Sequence, residues 1–212
     1  MRWFLYCIPF LWICCLDSPE LNNWYKGNLH THTFWSDGDA SPEIAVAWYK
    51  DQGYDFLALS DHNILSVGEK WIKVLDKDPG GWPPSMTKAK LEDVRSRFGE
   101  DWPLTRIVED TLEMALITLD KLKKYFEEPG KFLMIQAEEI TDRYNEYPIH
   151  VNATNVVEFI APQGGNSTHD VLQRNINAIY KQREKAGQVI LAHVNHPNFG
   201  WGIVAEDLID LQ

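Results

Sequence analysis

Residues 24 to 62 constrain the fold more tightly than any other part of the chain. Trp24 to His32 reads as a first strand, followed by a helix start at Ser41-Pro42-Glu43. Ser serves as N-cap, Pro takes the first helical position, and an acid sits in the first turn. Ile44, Ala47 and Trp48 give that helix one apolar face, and Gly53 ends it. "YDFLALS" (Tyr54 to Ser60) is a short apolar run with the length of a buried strand. A strand, a helix and a second short strand make a β-α-β unit, which argues for a parallel sheet. The chain has 212 residues, enough for one sizeable core or for part of a larger barrel-type domain.

The later segments continue the alternation less evenly. Residues 66–105 are rich in Trp, Pro, Gly and charge and read as an irregular insertion of the kind that forms lids. "RIVEDTLEMALIT" suits strand or helix equally. Thr118 to Glu128 reads as a helix closed by Pro129-Gly130, and "KFLMIQAEEIT" and "PIHVNATN" as buried strands. A long amphipathic helix is expected from Thr168 to Ala186, with Leu172, Ile176 and Ile179 on one face and Gly187 at its end. "QVILAHVNHPN" is the last strand.

The seven histidines carry the chemistry. His30 and His32 flank Thr31, so on a strand both imidazoles leave one face, and Asp37 follows five residues later. Two nitrogen ligands beside a carboxylate are what a divalent metal requires. His62, His150, His193 and His196 also lie on or just after expected strands, and Asp61, Glu138 and Glu139 supply acids at the same places. In α/β barrels the C-terminal ends of parallel strands converge on one face, where active sites are built. His169, at the start of a polar helix, reads as a surface residue.

Composition removes other classes. The formal charge is −11, and the densest basic run, Lys121 to Lys124, belongs to a helical segment as a solvated face. A nucleic-acid binder would carry a basic stripe, so no nucleic-acid partner is expected. The N-terminus reads as a secretory signal over residues 1–16, with a linker over 17–23 and the domain over 24–212. Its apolar run is too short to span a bilayer. All three cysteines (Cys7, Cys14, Cys15) lie in that run, where Cys14-Cys15 loosely resembles a lipid-attachment site. The expected location is therefore periplasmic or extracellular, with a lipid anchor or a cytoplasmic protein as alternatives.

Taken in order, "LHTHTFWSDG", "ALSDHN", "EEIT", "IHVNATN" and "NHP" resemble the PHP family, named for polymerase and histidinol phosphatase domains. The resemblance spans about Gly27 to Asn198. It implies an α/β fold, a distorted (β/α)7 TIM-like barrel that is incomplete at its C-terminus. It also implies two or three divalent ions (Zn, Mn or Fe) in the barrel mouth. His30 and His32 would hold the first ion with Glu139 as the bridging carboxylate, and His150 and His196 the second. His193 is the second choice beside His196. Asp37 and His62 would serve a third position. Asp61 is expected to orient the imidazole next to it, and Glu138 to tune charge beside Glu139.

The implied activity is hydrolysis of a small phosphorylated substrate by a metal-dependent phosphoesterase. Glu139, His62 and His193 are the catalytic candidates, and Arg143 is a candidate phosphate anchor. Trp35 and Trp201 would either border the pocket or pack in the core. An ester or carbamate hydrolase on the same site is an alternative. So is a non-catalytic metal-binding domain, because the family's late Asp-x-His motif does not occur before Gln212. The expectation drawn from that absence is a fragment of a longer protein.

Overall fold

The computed structural model describes residues 24–212. The expected signal segment, the linker and the three cysteines lie outside the described residues. Five strands form one mixed sheet in the order β1 (Gly27–Asn28), β2 (Phe56–Leu59), β6 (Leu133–Tyr144), β7 (Tyr147–Thr154) and β8 (Leu191–Val194). The β-α-β unit forms as expected: α1 (Pro42–Asp51) joins β1 to β2, and Gly27 pairs with Phe56 in parallel register. β2 pairs with β6, also in parallel.

Beyond β6 the expected barrel gives way. β6 and β7 pair antiparallel from Ala137–Thr154 to Tyr144–Tyr147, and β8 pairs antiparallel with β7. Only Asn145 and Glu146 separate β6 from β7, and Asn145 takes a positive φ of 53°. A two-residue turn can only return a strand antiparallel, because a parallel return needs a crossover of a dozen residues or more. The sheet curls into a half-barrel, and the described residues contain five α-helices. The chain is therefore a mixed α/β fold and not a (β/α)7 barrel.

The insertion is also more ordered than its composition suggests. β3 (Trp71–Lys73), β5 (Thr111–Ala115) and β4 (Thr105–Val108) form a separate antiparallel sheet. It packs with α2 (Lys88–Phe98) around Val74, Leu91, Val94 and Met114. The undecided "RIVEDTLEMALIT" is the β4–β5 hairpin, turned by Glu109 (φ 47°) and Asp110 (φ 61°). Two consecutive left-handed residues are the signature of the tight hairpin turn whose twist matches its strands.

Helices cover one face of the large sheet. α1 and α3 (Leu119–Phe126) bury Val46, Leu122 and Phe126 against Leu57, Leu59 and Met134. α4 (Thr168–Ala186) has the predicted bounds. It buries Leu172, Ile176 and Ile179 against Ile140, Ile149 and Val151, and Gly187 closes it at φ 65°. The buried face of α1 is Glu43, Val46 and Ala47, while Trp48 is half exposed at 52%. The expected face of Ile44, Ala47 and Trp48 is thus rotated, because α1 turns a carboxylate inward. Side chains alternate along a strand, so Glu139, Thr141, His150 and Asn152 project from the opposite, helix-free face.

Candidate metal centre

Glu139 is fully buried at the middle of β6, and imidazoles from four other segments close on it. Its Oε2 lies 3.2 Å from His30 Nε2, 2.8 Å from His32 Nε2 and 3.1 Å from His62 Nδ1. Its Oε1 lies 3.2 Å from His150 Nδ1 and 3.0 Å from His196 Nε2. Asn195 Nδ2 donates to the same Oε1 at 2.6 Å and to Asn152 Oδ1 at 2.7 Å. One carboxylate thus presents each of its oxygens to a different group of imidazoles.

The rings form a closed circuit around that carboxylate. Neighbouring centroids are 4.9 Å apart for His30–His32, 4.3 Å for His32–His62 and 5.2 Å for His62–His150. The circuit closes through His150–His196 at 5.0 Å and His196–His30 at 5.4 Å. Asp37 joins at the His32–His62 edge, with Oδ1 2.9 Å from His32 Nδ1 and Oδ2 3.4 Å from His62 Nε2.

Local structure explains the convergence. The ladder of β1 ends at Asn28, earlier than the expected strand to His32, yet the chain runs on beside β2. Ser60 N–H donates to Thr31 O at 2.9 Å, and Thr31 N–H donates to Ser60 Oγ at 3.0 Å. Residues 33–38 then turn tightly, and Asp61 holds that turn. Its carboxylate accepts from Thr33 N (2.7 Å), Thr33 Oγ1 (2.9 Å), Ser36 N (3.0 Å) and Ser36 Oγ (2.6 Å). Asp61 therefore fixes the backbone between His32 and Asp37 rather than the adjacent His62 ring. His62 is oriented by the hydroxyl of Thr141 instead.

Protonation follows from these contacts. Burial alone would raise the Glu139 carboxyl, but the His150, His30 and His32 rings and the Asn195 amide gathered around it hold it far below the carboxylate range. Burial likewise opposes charge on His32, yet its bonds to Glu139 and Asp37 raise its pKa. For His62 and His196 burial prevails and lowers the pKa, favouring the neutral ring that ligates metals.

Three overlapping triads have ligand atoms within 4.8 Å of one another: His30/His32/Glu139, His32/Asp37/His62 and His62/Glu139/His150. His150 is 7% exposed, and its Nδ1 has no hydrogen-bond partner despite facing Glu139. A buried ring nitrogen left unpaired carries a desolvation cost that a cation would remove. The residues present fit a divalent ion, and this cluster could hold one.

Other expected residues sit elsewhere. Glu138 points to the opposite face, where its Oε1 accepts from Ile160 N at 2.7 Å; burial pushes its pKa up to about 8. It does not adjoin the cluster. His193 lies across from Asn152 on the cluster's face but does not line the cleft. Burial, then the neighbouring His30, lowers its pKa. Arg143 shares the face of Glu139 four residues further along β6, exposed and outside the cleft. Trp35 is a core residue donating to Ile117 O at 2.9 Å, and Trp201 is 80% exposed. His169 bonds Asp207 O at 3.0 Å, away from the cluster.

The cleft above the imidazoles has a volume of about 470 Å³ and two further walls, Trp82 and Phe199. Trp82 Nε1 donates to Asp37 Oδ2 at 3.1 Å, so the insertion does reach the site. Trp82 lies in the insertion, far along the chain from any histidine-bearing strand end, so no spacing marks it. Phe199 follows "NHP" and was within reach of that motif. A cleft of about 500 Å³ at the opposite end of the strands, around Phe56 and Phe132, contains no histidine. Among the described residues no helix is long and apolar enough to cross a membrane. No model of a known protein family matches the chain, and no curated protein matches it.

Proposed function

We propose that the chain is a metal-dependent phosphoesterase of the PHP type. The observation that carries this reading is the division of Glu139: three imidazoles on one oxygen, two on the other. A carboxylate so placed suits bridging between two cations, and Asp37 with His62 and His32 suits a third. Donors limited to His, Asp and Glu favour Zn, Mn or Fe.

Bound divalent ions would supply the charge that ionises a water near neutral pH and neutralises phosphoryl oxygens. The chain's own contribution is to hold that charge in place. Asn195 and the imidazoles fix both oxygens of Glu139 in a buried setting. Asp61 fixes the turn that carries Asp37. His62 and His196, whose pKa values burial lowers, are neutral at pH 7 and available as ligands. His62 is the proton donor candidate within the cleft only if it is not taken up as a ligand and is protonated for that step. His193 is a weaker one, because its ring does not line the cleft.

The test is metal content and turnover of the purified chain on an aryl phosphate. Glu139→Gln is expected to lose most bound metal and to lower turnover by at least ~10²-fold, the scale seen when a charge-stabilising group is removed. Retention of both metal and turnover would overturn the reading. Turnover on a phenyl carbamate but not on a phenyl phosphate would assign the same site to the other ester class.

A further inference from the structure

Trp82 and Phe199 are large aromatic rings that the core does not use. They are 72% and 56% exposed, and both border the cleft. Trp82 stands over the His32–His62 edge of the imidazole circuit through its bond to Asp37. Phe199 stands over the His150–His196 edge, with centroids 5.8 Å and 5.3 Å from those rings. The two edges are not adjacent, so the rings flank the floor from different sides.

Each ring is presented by a constructed turn. Asp78 accepts from Gly80 N at 2.9 Å and from Ser85 N at 3.1 Å, tying off the loop whose tip is Trp82. Phe199 begins a 3-10 turn in which Gly200 adopts φ 57° and packs against Pro148. The lining side chains are five imidazoles, one carboxylate and these two rings. They include no Lys or Arg, so beside the two aromatic rings, away from any bound ions, a second anionic group on a ligand would meet no cationic side chain.

We propose that this cleft selects phosphoesters whose leaving group is a flat, uncharged ring system, held by Trp82 and Phe199 while the phosphoryl group faces Glu139 and its imidazoles. The proposal rests on the phosphoesterase reading above. In the reaction, the oxygen of water bonds to phosphorus and the bond to the leaving oxygen breaks. One proton of that water ends on the released ring-bearing alcohol or phenol. Stacking on an aromatic side chain contributes ~1–3 kcal/mol per ring, about a 5- to 150-fold change in affinity. An alkyl leaving group forgoes most of it.

The experiment is calorimetric binding of non-hydrolysable phosphonates to the metal-loaded full chain, with metal content measured for every variant. 1-Naphthylphosphonate is expected to bind at least ~10-fold tighter than ethylphosphonate. Phe199→Ala should reduce that ratio by ~5-fold, as should Trp82→Ala. Trp82→Phe, which keeps a ring and loses the N–H to Asp37, should retain most of it. Equal affinity for the two phosphonates, or an unchanged ratio in Phe199→Ala, overturns the proposal while leaving the phosphoesterase reading intact. Failure of metal-loaded protein to bind either phosphonate overturns both.

Discussion

Glu43 shows what a hydrophobic pattern conceals at the scale of one residue. It lies on the buried face of α1 at 1% exposure, with Oε1 accepting from Trp102 Nε1 at 3.1 Å and Oε2 unpaired. Burial pushes its carboxyl above the ordinary range, outweighing the bond from Trp102. A folded pKa above the unfolded one means the contribution to stability is full below the unfolded value of 4.5. It is lost as pH rises from there through the folded pKa. Glu43→Gln is therefore expected to raise the urea midpoint relative to the parent at pH 8, on the order of 1 kcal/mol. Little change is expected at pH 4, and a gain confined to pH 4 would refute the assignment. Gly38 is informative in the other direction. A Cβ there would sit 2.5 Å from the backbone of His32 and Thr33, so Gly38→Ala must displace the turn that aims His32 and Asp37. Metal content of that variant should fall several-fold, with far-UV circular dichroism unchanged. Glu139 was legible because its neighbours Ile140 and Thr141 complete a motif. Glu43 was not, since charged residues are rarely core and no spacing marks one that is.

Among elements, those specified by local chemistry were readable and those specified by pairing were not. α4 carries its boundaries in Thr168, Gly187 and a clean apolar stripe, and the structure keeps all three. Ile179 is fully buried in that stripe, and Ile179→Ala should cost ~2–5 kcal/mol in chemical unfolding. β6 and β7 were each recognisable as strands, but their relative direction depends on the two residues between them. Asn145 and Glu146 leave room for a hairpin and for nothing else. Reading them as successive barrel strands ignored that length. The 33–38 turn depends on a partner distant in sequence, Asp61, whose carboxylate accepts four bonds from Thr33 and Ser36. Thr33 N–H, Ser36 N–H and Ser36 Oγ all donate to Oδ1, so Asn at this position keeps those bonds to a neutral oxygen. What it loses is the carboxylate charge and the acceptor of the Thr33 hydroxyl. Asp61→Asn should cost ~1–3 kcal/mol and weaken metal retention. An Asp61→Asn protein that unfolds at the parental midpoint and keeps its metal would assign the turn another anchor.

At the scale of the whole molecule, the candidate metal centre joins every strand of the large sheet. His30 and His32 follow β1, His62 follows β2, Glu139 and His150 lie within β6 and β7, and Asn195 and His196 follow β8. An unfolded chain has no such arrangement, so ion binding adds directly to folding stability. At a free ion concentration 100 times Kd the gain is about 2.7 kcal/mol, or roughly 5–10 °C in Tm for a chain of this size. Chelation should lower Tm by that amount, and Glu139→Gln should be indifferent to chelator. The pH dependence separates this from an unspecific effect of the chelator. His32 has a folded pKa above 6.5, so in the metal-free protein its contribution is full below 6.5 and fades as pH rises through the folded value. Metal binding runs the other way, because imidazoles ligate only when deprotonated. The Tm difference between metal-loaded and chelated protein should therefore widen from pH 6 to pH 8. A difference that narrows over that interval, in protein shown by elemental analysis to have exchanged its ions, would place the ions outside the imidazole circuit.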